Sequence, residues 1–480
     1  MVDMARAFAM HGGVDVTIIT TSGNATIFQS SIDRDSSRGV PIRTHAIKFP
    51  ALQVDLPVGI ETFNADTPLD LSPKIYEGLA ILQPEIEKLF EELKADCIVS
   101  DMFHPWTVDA AAKLGVPRIV FYAASCLSRC AVHSLEQHGS GHKKVVSDDE
   151  KFILEGLPHV LQMSRLQLPD WIKKPNGYTY LMSMINDSAK RSYGAVFNSF
   201  FELEGAYEEH YKEAYGTKCW SLGPVSMWVN KDDSDKIQRG LQEKVLVVDE
   251  EEEEGWLQWL NSKKEGSVLY VSFGSLNKFP SSQLVEIAHA LENSGHDFIW
   301  VVRKTNNDDE HNKELGFMEE FEERVRSSNR GYLIWGWAPQ LLILENPSIG
   351  GMVTHCGWNT VVESMSVGLA MVTWPLFAEH FFNEKLVVDV LRIGVSVGNK
   401  EWRNWNEFGI GVVKREEIGR AIEFVMGCGE EGEEMRVRAK AFSVAAKKAI
   451  EVGGTSHANV VELIQELRSL KVQRVINYGI

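Results

Sequence analysis

The polarity pattern changes period again and again along the chain. Short runs rich in β-branched residues, Val14–Thr20, Ile42–Lys48, Cys97–Ser100, Arg118–Tyr122 and Ala195–Asn198, predict strands. Between them apolar residues recur at helical spacing over Gln83–Leu93 and Tyr180–Arg191. The second half repeats the theme with Ser267–Ser272, Phe298–Val302, Tyr332–Ile334, Gly350–Thr354 and Ala370–Trp374. Strands that alternate with helices bury a parallel sheet on both faces, so the pattern predicts an α/β protein of two doubly wound, Rossmann-like lobes facing across a cleft.

Residues 1–225 are expected to form the first lobe and 255–455 the second. The last helical stretch, Ala458–Leu467 within 456–480, follows Gly453-Gly454 and is free to pack back on the first lobe. Residues 226–254 read as a solvated linker, because they end in six consecutive acids, Asp249–Glu254, that repel one another and bury nothing. One irregularity stands at the start. A doubly wound lobe normally begins with a strand feeding its first helix, yet this chain opens on a short apolar helix from Val2, so the first lobe is expected to lack its first strand. That helix ends in a doubled glycine, Gly12-Gly13, where one would suffice, and His11 before it reads as a surface or C-cap residue.

Composition narrows the picture. A chain of 480 residues exceeds what one hydrophobic core usually serves, which agrees with two lobes. A net charge of −18 without a basic tract argues against nucleic-acid binding. Six cysteines, at positions 97, 126, 130, 219, 356 and 428, lack zinc-ligand or disulfide-framework spacing, so free thiols in a reduced compartment and no bound metal are expected. The opening residues carry charges and no later apolar run is long enough to span a bilayer. A cytoplasmic protein follows, with loose association at a membrane surface such as the endoplasmic reticulum left open.

The chemistry concentrates between Trp337 and His380. The strand ending at Thr354 runs into a glycine-containing turn and then the helical pattern Val361–Val367, which puts a helix N-terminus at the turn. Unpaired N–H groups and the helix dipole make that terminus a natural seat for a diphosphate, with His355, Asn359 and Thr360 adding side-chain donors. Upstream, Trp337-Ala-Pro-Gln340 offers a flat aromatic face and hydrogen-bonding groups that suit a pyrimidine and its ribose. Downstream, Glu379 and His380 follow a strand with a carboxylate and an imidazole, the partners sugar hydroxyls need. Each residue has a plainer use, Asn359 as an N-cap and the Trp and His side chains as core groups. Their joint spacing is what points to a nucleotide sugar.

The segment WAPQLLILENPSIGGMVTHCGWNTVVESMSVGLAMVTWPLFAEH resembles the signature box of plant family 1 glycosyltransferases, which transfer a sugar from a uridine diphosphate sugar to a small lipophilic acceptor on a two-lobed GT-B fold. The likeness runs from Val2–Arg6 through Val16–Thr20, Ser100-Asp101 and Val271–Ser275 to the last helix. It implies that Trp337 stacks on uracil, Ala338 meets uracil through its backbone, and Gln340 and Glu363 hold the ribose. His355, Asn359, Thr360 and Ser275 would hold the diphosphate, and Trp358, Glu379 and His380 the sugar. Asn346, Thr360 and Ala370 stand where His, Ser and Pro are usual, and Thr360 keeps the hydroxyl. A closing Gln is typical of glucose donors and a closing His of galactose donors. Glucose and galactose differ only at the C4 hydroxyl, and a site built around a hydroxyl penalises a sugar that leaves its polar groups unpaired. His380 therefore favours UDP-galactose over UDP-glucose, with UDP-glucuronate behind both.

The family likeness is greatest to the branch acting on triterpenoid saponins, with Gly398–Trp405 a local feature of that kind. It implies a lipophilic triterpenoid acceptor, one already carrying a glucuronate being a natural fit and a flavonoid the alternative. The loops Ser30–Arg38, Pro50–Thr67 and Ala123–Gly141, with Phe49, Leu52, Phe63, Phe121 and Tyr122, would line the acceptor half of the cleft. Family members use a His in the loop after the first strand as the base, oriented by an Asp that Asp101 matches. That His is missing from this chain; His104 is the substitute within reach, and a start internal to the true reading frame or a shortened, impaired copy would account for the loss. The expected enzyme is an inverting, monomeric hexosyltransferase that uses direct displacement and needs no metal or cofactor. A nucleotide-sugar binding protein without turnover is the alternative. A nicotinamide-dependent oxidoreductase is excluded because no Gly-x-Gly-x-x-Gly turn follows an early strand.

Overall fold

Strands of the first half fall into three groups. In the computed structural model, which describes residues 1–57, 59–63, 67, 71–138, 141–238, 250–303, 309–404 and 411–478, the helix Val2–Met10 comes first. β1 (Val16–Thr21) then pairs in parallel with β2 (Ile42–Ile47). β3 (Ile98–Asp101), β4 (Arg118–Tyr122), β7 (Gly194–Phe197) and β8 (Lys218–Ser221) make a parallel sheet in that order, and β5 (Lys151–Leu154) with β6 (Leu161–Ser164) an antiparallel hairpin. Among the described residues no strand precedes β1 and no ladder joins β1 to β3, although Ile19 of β1 packs into the apolar cluster of Ile98. Among the described residues the first lobe thus carries its parallel strands in two sheets.

The second half builds a single six-stranded parallel sheet from β9 (Val268–Ser272), β10 (Asp297–Val302), β11 (Gly331–Trp335), β12 (Ile349–Thr354), β13 (Ala370–Thr373) and β14 (Gly394–Ser396). Its order, β11-β10-β9-β12-β13-β14, is the doubly wound 3-2-1-4-5-6 arrangement. β9 and β13 are buried at every position, which is why VLYVS and AMVT read as unbroken apolar runs rather than alternating ones. The order reverses between β9 and β12, so the crevice beyond their carboxyl ends is where such a sheet takes a ligand.

The lobes share one apolar cluster, which includes Tyr122 and Phe197 from the first and Val271 and Trp374 from the second. The last helix, Thr455–Tyr478, is longer than its core pattern and crosses to the first lobe. There Val460, Leu463 and Ile464 pack with Met4, Phe8, Ile119, Phe121 and Trp220.

Several expectations change. The segment 226–254 is not a plain solvated linker: Val225–Val229 and Asp233–Gln238 are helical, and Asp235 is 2% exposed, 3.6 Å from the equally buried Arg6. Arg6 also donates to Asp35 at 2.6 Å and to Asn230 at 3.0 Å, so charges that read as solvated are consumed in a buried network. Residues 239–249 lie outside the described set, and Glu250–Asn261 form a helix anchored by buried Trp256 and Leu260. Of the residues expected along the acceptor half, Phe49, Phe121 and Tyr122 are closed into the core, Leu52 is exposed and Phe63 half-buried. Parts of the 50–67 loop, residues 139–140 and Trp405 are outside the described residues. His11 caps the first helix, its Nδ1 2.9 Å from the Ala7 carbonyl. Gly13 alone of the glycine pair has positive φ, +81°, while the Gly12 carbonyl accepts from Arg468 at 2.7 Å. Among the described residues all six cysteines are free, no His/Cys/Asp/Glu group could hold a metal, and no helix is long and apolar enough to cross a membrane.

Candidate functional site

At the reversal point of the second sheet, β9 ends in the turn Phe273-Gly274-Ser275 and β12 in His355-Cys356-Gly357, which leads into the helix Trp358–Val367. The His355 ring is wedged between two glycines. A Cβ at Gly274 would lie 2.6 Å from the imidazole and one at Gly357 2.4 Å from it, and Gly274 has φ of +72°. Only glycine allows both approaches. Burial pushes the His355 pKa down to about 4, so the ring is neutral at physiological pH. Its Nδ1 is buried without a partner, an atom that asks for a hydrogen-bonding ligand.

Helical geometry leaves the N–H groups of Trp358, Asn359 and Thr360 without intrahelical acceptors, the first intrahelical bond being Val361 N–H to the Gly357 carbonyl at 3.0 Å. Asn359 is exposed and Thr360 buried beside it. The Gln340 side-chain amide donates to Glu363 Oε2 at 2.7 Å and to Thr360 Oγ1 at 3.3 Å, which ties the two expected ribose ligands into one unit and leaves the threonine hydroxyl proton undirected by this contact. Trp337 is half-buried after β11, and Ala338 and Gln340 follow it into the helix Gln340–Leu344. Ser275 is exposed in the turn after β9, on the other side of His355.

His380 closes the site from the next connection. Its ring stands edge-on to that of His355 at 4.9 Å and is held neutral by burial, with His355 adding to the effect. The Phe377 N–H donates to its Nδ1 at 3.4 Å, which leaves Nε2–H as the ring's own donor. Glu379, at the N-cap of the helix His380–Lys385, has its pKa raised by burial against the opposing pull of the Asn383 amide.

The first lobe meets this site with the carboxyl edge of its sheet. Asn198, just after β7, donates through Nδ2 to Asn359 Oδ1 at 3.0 Å and accepts at its carbonyl from Trp358 Nε1 at 2.9 Å. Ser125, beyond β4, donates to Asn383 at 2.7 Å. Asp101 ends β3 on the same edge, in register with Phe121. Its Oδ1 accepts the Phe103 N–H at 3.0 Å and its carbonyl the His104 N–H at 3.1 Å. Burial depresses the His104 pKa against the opposing charge of Asp101, which keeps this imidazole neutral.

A family model described as UDP-glucoronosyl and UDP-glucosyl transferase matches residues 181–398, the span that holds Asn198 and the whole second-lobe site. Over 474 residues the sequence is 65% identical to soyasapogenol B glucuronide galactosyltransferase of Glycine max, covering 99% of this chain and 94% of that one. This chain belongs to the UDP-glycosyltransferase family. UDP-glucosyl transferase 73CC6 of Saponaria officinalis is 46% identical over 99% of this chain and 96% of its own length. The crystal structure of Glycyrrhiza uralensis UGT73P12 complexed with glycyrrhetinic acid 3-O-monoglucuronide superposes with a TM-score of 0.93 at 60% identity, over 99% of this chain and 94% of that one. The fold is therefore GT-B.

In this UDP-glycosyltransferase, Ser275, Trp337, Ala338, Gln340, His355, Asn359, Thr360, Glu363, Glu379 and His380 all fall around the β9–β12 reversal or on the connections beside it. Trp358 departs from expectation. Its indole is 1% exposed and spends its N–H on Asn198, so only its backbone N–H is left to meet a sugar. Sequence reasoning missed Asn198 and Asn383. Asn198 read only as the last residue of a strand, and nothing in its neighbours signals a partner 161 positions away.

Proposed function

We propose that this glycosyltransferase moves a hexose, galactose in preference to glucose, from its UDP-sugar to a hydroxyl of a triterpenoid that already carries a glucuronate. The acceptor oxygen attacks the anomeric carbon as the bond to the diphosphate oxygen breaks, with inversion. UDP leaves with the electron pair, and the hydroxyl proton passes to a base. The observation that carries the donor half is the neutral His355, held between Gly274 and Gly357 with an unpartnered Nδ1, beside the free N–H groups of the helix that starts at Trp358. Hydrogen bonds there hold the leaving diphosphate without a metal. The acceptor half rests on the glucuronide in the name of the Glycine max relative and on the monoglucuronide bound by the Glycyrrhiza uralensis protein. Galactose rests on the relative's name and on His380, whose one ring donor is Nε2–H.

The base in this reading is His104, a neutral imidazole in the loop of Asp101. A second reading, donor binding without turnover, draws on one observation: Asp101 Oδ1 is engaged by the Phe103 N–H, not by an imidazole. The deciding experiment measures UDP release by the purified chain with UDP-galactose or UDP-glucose beside a triterpenoid monoglucuronide. Acceptor-dependent release, faster with galactose, is the expected result. Faster release with glucose would overturn the donor assignment, and UDP binding without release in either case would establish the second reading.

A further inference from the structure

Asn198 belongs to the first lobe, yet it touches the donor site of the second through a side chain whose polarity can be assigned without ambiguity. Carboxamide oxygen and nitrogen are normally interchangeable in position, and only the surrounding network fixes them. Here the network starts from a backbone group that can only donate. The Val225 N–H faces the Asn198 side chain at 3.0 Å, so the atom it meets must be Oδ1. Asn198 Nδ2 is then the atom 3.0 Å from Asn359, and because it only donates, the Asn359 atom it meets must be Oδ1. The end of Asn359 left over is its NH2 group, which has no partner among the described residues, on an exposed side chain at the second position of the helix Trp358–Val367.

The Asn198 residue is itself over-determined. It is 4% exposed and its carbonyl accepts from Trp358 Nε1 at 2.9 Å, and turning its amide over would set an NH2 group against the Val225 N–H. The polarity set at Val225 is thereby passed across the lobe boundary to Asn359.

We propose that Asn198 is a positioning residue for donor binding: it holds the Asn359 amide with its NH2 outward, ready to donate to the anionic diphosphate, and makes that readiness depend on contact between the two lobes. This inference rests on the donor-site reading above, since it assumes that Asn359 faces the diphosphate. With the lobes apart, or with a residue at position 198 that cannot donate, Asn359 is free to turn its oxygen outward, where it repels phosphate oxygens.

Three single variants of the full chain, Asn198→Asp, Asn198→Ala and Asn359→Ala, and the two double variants that combine each Asn198 substitution with Asn359→Ala, test this by calorimetric titration with UDP, with the melting temperature recorded for every protein. Asn198→Asp keeps the shape and still accepts from Val225, but it draws the Asn359 NH2 inward; a loss of UDP affinity on the order of tenfold is expected. Asn198→Ala removes the orienting donor without adding a charge and should lose several-fold. In the Asn359→Ala background neither substitution at 198 should weaken UDP binding further, because Asn198 acts only through Asn359. Equal losses in both backgrounds, or none in either, would overturn the proposal even where the melting temperature falls, since a general structural defect does not vanish when Asn359 is removed. Failure of the wild-type chain to bind UDP at all would instead refute the donor-site reading beneath it.

Discussion

If the proposed preference for galactose holds, His380 is the side chain on which it turns. The ring is 4% exposed and neutral, its Nδ1 faces the Phe377 N–H, and a single donor, Nε2–H, remains for a sugar hydroxyl. A glutamine there would offer both a donor and an acceptor on a longer, flexible arm. His380→Gln is therefore expected to shift the ratio of kcat/KM for UDP-galactose over UDP-glucose toward glucose by roughly tenfold, the worth of one hydrogen bond made or lost at a buried hydroxyl. Initial rates with the two donors, at one fixed acceptor concentration, check it. An unchanged ratio would take the C4 selection away from position 380 and hand it to another group. At this scale residue type and spacing picked out Gln340 and Glu363 as partners, and the fold joins them at 2.7 Å, which leaves their part in holding a ribose to the proposal above. The sequence was silent where direction matters. Nothing in Gly357-Trp-Asn-Thr360 tells that the indole turns into the lobe boundary while the amide next to it stays exposed.

Elements became visible in the sequence in proportion to how much apolar surface they bury on their own account. β4, Arg118–Tyr122, is buried at every position and stands where the pattern put it, and β13 differs from its pattern only by one residue at the end. β8 and β14 escaped because four and three residues, with Lys, Ser and Gly among them, carry no period to detect. The helix Cys126–His138 illustrates a different kind of hidden dependence, since its first turn is held by a residue from elsewhere in the chain. Glu204 accepts the Leu127 N–H at 2.9 Å and the Ser199 hydroxyl at 2.7 Å while 1% exposed. Burial raises its pKa from 4.5 to about 7, against the opposing effect of those hydrogen bonds. Below about pH 4.5 the carboxyl is protonated in both the folded and unfolded chain and its contribution to stability is complete; as pH rises through about 7 the unfolded chain has already released the proton and that contribution is lost. Glu204→Gln stays neutral, and it keeps both contacts once the Ser199 hydroxyl turns to accept from its NH2, so its melting temperature relative to wild type should rise between pH 5 and pH 8. A difference that is the same at both pH values would mean that the wild-type carboxyl does not titrate across this range.

For the molecule as a whole, the decisive feature is that the two ends of the chain meet in one cluster. The first helix contributes Met4 and Phe8, the last contributes Val460, Leu463 and Ile464, and the strands between them contribute Ile119, Val196 and Trp220. Polar ties reinforce the contact: Asn459 donates to the Ser221 carbonyl at 2.9 Å, Lys218 pairs with Glu466 at 2.7 Å, and Lys471 and Arg474 both reach Asp96. Exposed pairs of this kind add little, so the apolar face of the last helix is what holds it. In a first lobe whose sheet is in two pieces, that face covers a core the local strands cannot cover alone. Leu463 is fully buried, and Leu463→Ala should cost about 2–5 kcal/mol. The loss should appear where the cluster lies. Hydrogen exchange is expected to accelerate at β8 and in the helix Val2–Met10, while β9 and β12 at the donor site keep their protection and UDP still binds. If faster exchange were confined to the last helix itself, that helix would be an appendage and the first lobe would owe its stability to other contacts. If protection fell equally in both lobes, the chain would unfold as a single cooperative unit through the cluster the lobes share.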